Sequence, residues 1–182
     1  MTRQELTQEI ERLHPASFSW ALSCCRRDRE EALEVLQASY LKLLEGQARF
    51  EGRSSFKTFL FGVIRRTAAG ERRRRALSLL GLERFRRASR DVPPSAQPEE
   101  PGEPVDCLRR LRRLDAALAR LPRRQREVIE LRLQHEMTIE EVAAALSISL
   151  GSARVHYARA KVRLRRLLDE ELEEKLDEEG GA

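Results

Sequence analysis

MTIEEVAAALSISLGSARVHYARAKVRLRRLL, residues Met137 to Leu168, spells two helices joined by a tight turn, the second of them heavily basic. Thr138 is placed to cap the first helix, with Glu141 reaching back as its capping-box partner. Ile139, Val142, Ala143 and Leu146 then recur at helical spacing and form a buried stripe. The alanines at 143, 144 and 145 let another helix cross closely, Ser147-Ile148-Ser149 makes the turn, and Ser149 caps a helix opening at Leu150. On that second helix Leu150, Ala153, Tyr157, Ala160, Leu164 and Leu167 or Leu168 share one face, so Ser152, His156, Arg159 and Arg163 fall on the other. The pattern predicts a helix-turn-helix reader of duplex DNA. Its second helix would lie in the major groove, with the first turns at base edges and the arginines on phosphates or guanine.

Upstream, Leu108, Leu111, Leu114, Leu118 and Leu121 form a leucine seam that Pro122 interrupts. The following PRRQREVIELRLQHEM fits a helix with proline in its first turn and Val128, Ile129, Leu131 and Leu133 available for packing. This helix pair is the expected platform for the reader. Downstream, DEELEEKLDEE (residues 169–179) extends the recognition helix or frays from it, and acid at a helix C-terminus, against the dipole, favours fraying. Tethered beyond a basic helix, that tail could also fold back as a DNA mimic.

Further out, ASRDVPPSAQPEEPGEPVD mixes five prolines with acids and has no apolar period, which predicts a linker over residues 88–106. Before it, residues 1–87 read as a helical module. Helices are predicted from Thr2 to Leu13, from Pro15 to about Arg26, and from the Asp28 cap onward with Ala32, Val35, Leu36, Tyr40 and Leu43 inward. After the break from Gly46 to Gly52, Ser54 or Ser55 caps SSFKTFLFGVIRRTAAGERRRR, with Phe56, Phe59, Leu60, Val63 and Ile64 on its apolar side. Most of these phenylalanines are expected in the core, although aromatics beside a basic run can also stack unpaired bases. Lys57, Arg65 and Arg66 are the expected nucleic-acid contacts here.

No strand-type alternation interrupts this, so the expected fold class is all-α: two small helical bundles joined by a proline-rich linker. The chain of 182 residues carries a net charge of +5, and the charge is segregated into arginine clusters such as Arg72 to Arg75. A polyanionic partner suits that distribution. Cys24, Cys25 and Cys107 show no Cys-x-x-Cys spacing, so neither a metal site nor a disulfide framework is expected, and the adjacent pair reads as small core fillers. No apolar run approaches membrane-spanning length and TRQELTQEIERL is unlike a secretory signal, so a cytoplasmic protein without membrane insertion is expected. The chain also lacks a phosphate-cradling glycine loop, a paired metal motif and a nucleophile triad order; it is read as no enzyme, with no cofactor.

With these residues laid out, the chain resembles the extracytoplasmic-function (ECF) class of bacterial RNA polymerase sigma factors. LARLPRRQREVIELRL and the helix-turn-helix are similar to the family's promoter-reading C-terminal domain. EALEVLQASYLKLLEG resembles the helix that grips the polymerase clamp, and FEGRSSFKTFLFGVIRR the melting segment. The resemblance implies an alternative sigma factor that binds core RNA polymerase and directs initiation at minus-ten and minus-thirty-five elements. It implies a region-2-like domain over 1–87 and a region-4-like domain with acidic tail over 107–182. Implied DNA contacts are Ser152, Arg154, Val155, His156, Arg159 and Arg163 on duplex, and Lys57, Arg65, Arg66, Arg72 and Arg73 near the opened strand. Glu34, Gln37 and Lys42 would touch the polymerase, Phe56, Phe59 and Phe61 would support the melting surface, and an anti-sigma protein is an expected partner. The chain departs from the family at Phe59, where tryptophan is common, at Arg66, where many members have asparagine, and at Leu33 and Ala38, often acidic. The rival reading is a one-component helix-turn-helix regulator that needs no polymerase; a third is an adaptor that kept the fold.

Overall fold

A computed structural model describes the backbone of residues 1–83 and 105–180, with side chains described over 1–78 and 112–170. Seven helices and no strand are found among the described residues: α1 (Arg3–Cys24), α2 (Arg29–Leu44), α3 (Phe56–Glu83), α4 (Val105–Ala119), α5 (Arg123–Leu133), α6 (Ile139–Leu146) and α7 (Leu150–Gly180). The predicted linker lies outside the described residues, apart from its last two.

Most starts follow the expected capping chemistry. Thr138 and Glu141 exchange both capping-box bonds, at 3.2 and 2.9 Å. Ser149 accepts from the Ser152 N–H, and Ser55 from the Thr58 N–H. Asp28 accepts from the Glu31 N–H, but the Glu31 carboxylate turns toward Arg75 at 3.6 Å instead of closing a box. Pro122 precedes its helix as the N-cap. Thr138→Ala removes an acceptor for one orphan N–H and is expected to cost about 1 kcal/mol of stability, read by urea denaturation.

Two predicted boundaries shift. The helices expected on either side of His14 are one, with Pro15 inside α1. Pro15 and Glu11, whose carbonyl loses its donor, are both exposed, so water can serve that oxygen. At the other end, the acidic tail continues α7 to Gly180 where fraying was expected; Arg166 reaches Glu170 at 3.2 Å, an i to i+4 pair that supports the junction.

In the N-terminal module α1, α2 and α3 pack against one another. At its centre Trp20 is fully buried, stacked near Phe61 and donating its indole N–H to the Phe61 carbonyl at 3.0 Å. In the C-terminal module α4, α5 and α7 enclose Ala117, Leu118, Leu121, Ile129, Ala160, Leu164 and Leu167. Most of the α5–α6 apolar face, however, joins the other side. Val128, Leu131, Met137, Val142, Ala145 and Leu146 belong to one continuous core with Leu60, Phe61 and Ile64. The bundles expected as separate bodies therefore share a core, with α6 laid on α3. Gly62 permits that approach, since a Cβ there would lie 3.3 Å from the Ala145 carbonyl oxygen.

Candidate nucleic-acid interface

The helix-turn-helix is built as its sequence dictates. α6 ends at Ser147, whose left-handed backbone (φ 52°, ψ 49°) turns the chain sharply. Ser149 then starts α7, whose inner face, Ala153, Ala160, Leu164 and Leu167, is buried. On the outer face Ser152, Arg154, Val155, Arg159 and Arg163 are exposed. Arg154 lies 3.7 Å from Glu140, a loose pair, while Arg159 and Arg163 make no ion pair or side-chain hydrogen bond with the described residues. His156 is only partly exposed, and its Nδ1 is buried without a partner. This face offers two unpaired guanidiniums about one turn apart, which suits a polyanionic groove.

The residues expected near an opened strand are divided. Arg66 and Arg73 are exposed. Arg65 is not: its side chain is 11% exposed, it donates to the Leu146 carbonyl at 3.1 Å, and it pairs with Glu127 at 3.3 Å. Lys57 donates to the His135 carbonyl at 2.5 Å and sits over the Phe61 ring. Lys57 and Arg65 of α3 are thus held by the C-terminal module. Arg72 is partly buried and donates to the Cys24 carbonyl. Phe56 and Phe61 are core, and Phe59 is half-buried beside Phe50 and Phe56.

Glu127 is the centre of this junction. It is almost fully buried yet meets three guanidiniums, Arg65, Arg123 and Arg124, which supply the charge that burial would otherwise leave uncompensated. Glu141 adds a second link: besides its capping role it accepts from Ser55 at 3.2 Å and Thr58 at 3.4 Å, and the Thr138 backbone bond holds its carboxyl below the ordinary range. His135 stands edge-on to Trp20 and Phe61, and burial, with Lys57 nearby, pushes it down to about 4.

Glu130 is pushed the other way, up to about 7, because burial outweighs Arg27 and Arg126. A raised carboxyl binds its proton more tightly in the folded chain, so its stabilising contribution is lost as pH rises through about 7. His135 acts oppositely, favouring the fold as pH rises from about 4 to 6.5. Glu130→Gln removes the first effect. Its stability relative to the parent chain is expected to grow between about pH 5 and about pH 8, by on the order of 3 kcal/mol, in denaturation series at each pH.

On α2, Gln37 is exposed, Glu34 is paired with Arg75 at 2.6 Å, and Lys42 donates to Thr67 Oγ1 at 3.0 Å. The outward side also carries Leu33, Leu41 and Leu44, all exposed. Their offset from the buried Ala32, Val35, Leu36 and Leu43 was readable as a second apolar stripe. Leu133, expected in the core, is 56% exposed, since α5 turns Val128, Ile129 and Leu131 inward. Glu127, Glu130 and His135 are not marked by any local pattern: Arg123 and Arg124 beside Glu127 read as an ordinary surface pairing, and the burial of all three comes from helices far along the chain. Cys24 and Cys25 are buried as expected, and burial raises both thiols, Cys25 to about 12. Among the described residues no helix is long and apolar enough to cross a membrane.

The chain matches two families of known proteins, Sigma-70 region 2 over residues 10–77 and Sigma-70 region 4 over residues 111–164. It is 30% identical over 154 residues to the ECF RNA polymerase sigma factor SigX of Bacillus subtilis (strain 168), covering 84% of this chain and 78% of SigX. Among solved structures, it is similar to the sigma factor RpoE from Bartonella quintana, crystallised with the anti-sigma factor NepR. That match has a TM-score of 0.72 at 24% identity and covers 91% of this chain and 98% of RpoE. CnrH, solved in complex with the cytosolic domain of CnrY, is similar at TM-score 0.61 and 21% identity, with 92% and 90% covered.

Proposed function

Since the chain belongs to the ECF class of RNA polymerase sigma factors, it is an alternative sigma factor that directs promoter recognition, and we propose that its two modules divide that work between duplex and opened strand. Residues 107–182 read the minus-thirty-five duplex through α7, with Ser152, Arg154, Val155 and His156 toward base edges and Arg159 and Arg163 on phosphates or guanine. Residues 1–87 hold core polymerase through α2 and engage the minus-ten region through Lys57, Arg65, Arg66, Arg72 and Arg73. Residues 88–106 link them. The protein works in the cytoplasm, performs no chemistry of its own, and uses no cofactor.

The observation that carries this reading is the capped α7 presenting unpaired Arg159 and Arg163 beside a second module whose α2 leaves Gln37, Leu33, Leu41 and Leu44 uncovered. We assign that stripe, with Glu34 and Lys42 at its flanks, to the polymerase clamp. Its leucines take over from charge as the adhesive, which fits Leu33 at a position often acidic in the family. Lys57 and Arg65 become available to the opened strand only when α6 leaves α3, so the arrangement observed is a resting one. RpoE, similar in fold and solved with the anti-sigma factor NepR, supports a partner of that kind here.

Reconstitution with core polymerase tests the reading. The purified chain is expected to form open complexes on promoters sharing a pair of upstream elements. Binding to duplex operators with no association with core polymerase and no open complexes would favour the one-component regulator. Leu41→Glu on the exposed face of α2 is expected to weaken core binding about tenfold, measured by polarisation, while leaving binding of α7 to duplex unchanged.

A further inference from the structure

Away from the α3–α6 seam, the two modules enclose a cavity of about 440 Å³ between the end of α1 with its following turn, α4 and α5. Arg26 and Arg27 line it from that turn, Asp115 from α4, and Arg126 and Glu130 from α5. Arg27 is committed to Asp115 at 2.7 Å. Arg26 and Arg126 have no side-chain hydrogen bond or ion pair among the described residues, and Arg126 is half-buried. Glu130 is 3% exposed, and its Oε2 has no hydrogen-bond partner.

Ser23 lies within reach of this carboxyl, and Arg27 and Arg126 act on it electrostatically, yet Oε2 stays buried without a partner, which is costly unless something is meant to meet it. Three guanidiniums against one exposed carboxylate repel a cation, so the missing partner is not an amine. The same balance welcomes an anion, provided that Glu130 carries a proton and acts as donor. Burial raises that carboxyl to about 7, where a proton is readily held. The volume suits a small metabolite.

We propose that this cavity binds a small molecule bearing an oxyanion, carboxylate or phosphate, held by Arg26 and Arg126 with protonated Glu130 donating to it, and that its occupation keeps the two modules together. The walls come from both modules, so the site exists only in the closed chain. A ligand that binds one state alone favours it in proportion to its concentration over its Kd. Restraint of promoter engagement rests on the function proposed above; binding itself does not.

The test is calorimetric titration of the full chain with succinate, and with sulfate standing in for a phosphate ester, against chloride at matched ionic strength. Saturable binding by one of the two is expected, which identifies the oxyanion class. Arg126→Ala is expected to weaken it about tenfold or more, the scale of a charge-assisted bond. Binding should be tighter at about pH 6.5 than at about pH 8, and Glu130→Gln, which keeps a donor without titrating, should abolish that difference. Helical circular dichroism and the emission of Trp20 establish that each variant is folded. The site is overturned if neither anion binds beyond the chloride control, or if affinity is unchanged in both Arg26→Ala and Arg126→Ala. Saturating ligand is further expected to reduce open-complex formation in the reconstituted holoenzyme. Binding without that reduction overturns the coupling to closure, whereas absence of open complexes in ligand-free samples counts against the sigma reading and leaves the site standing.

Discussion

Gly62→Leu separates the modules. At position 62 even a Cβ would come within 3.3 Å of the Ala145 carbonyl oxygen and 3.8 Å of the Ala145 Cα, both backbone atoms that cannot rotate away. A leucine side chain has no room, so α6 must lift from α3. Within α3 itself the change favours helix by about 1 kcal/mol, so the N-terminal module is not weakened at its source. Lifting α6 withdraws Glu127 and the Leu146 carbonyl from Arg65, and the His135 carbonyl from Lys57, returning two cations to solvent. Affinity for minus-ten single-stranded DNA is expected to rise about tenfold at low salt, with a steeper salt dependence. The chain has one tryptophan, and Trp20 touches His135 edge-on, so its emission should shift to longer wavelength as the modules part. An unchanged scattering radius together with unchanged emission would show that the seam tolerates the leucine and would defeat the argument.

Arg159→Ala combined with Arg163→Ala is expected to abolish most recognition of the minus-thirty-five duplex. Both side chains are exposed on α7 and neither has a partner within the described chain, so stability should stay within about 0.5 kcal/mol of the parent. Each guanidinium paired with guanine contributes about 1 to 3 kcal/mol of discrimination, and each on a phosphate adds about one to the slope of affinity against salt. A loss of roughly a hundredfold in duplex affinity follows, with a shallower slope. Equal affinity in parent and double variant at about 0.1 M salt would remove α7 from the interface.

Legibility followed the range of the interactions. Caps, stripes and turns act over three or four residues, and Thr138, Ser149 and the α7 inner face are where their spacing puts them. The prolines over residues 88–106 led instead to an expectation of two separate bodies, whereas one core runs through both halves of the chain. What the sequence concealed acts across the chain. Arg65 looks like any basic residue ahead of an arginine run until Glu127, 62 positions later, is folded against it. Lys57 and His135 are 78 positions apart. The same holds for Pro15, whose reputation as a breaker is overridden by packing along the whole of α1. Exposed cations on α7 were readable because nothing distant touches them. On α3, Lys57 and Arg65 are held by partners that no local spacing reveals, whereas Arg66 and Arg73 are exposed.

If the active form is the opened one proposed above, the undivided core carries a cost that falls on it. When α6 departs from α3, Val128, Leu131, Met137, Val142 and Leu146 lose their cover at the same moment as Leu60 and Phe61. Two oily patches then face water, and each invites adhesion to whatever is near. On the opening proposed above, a freed factor without a host would therefore be short-lived, prone to clump or to snap shut, and the polymerase that recruits it would also shield those patches.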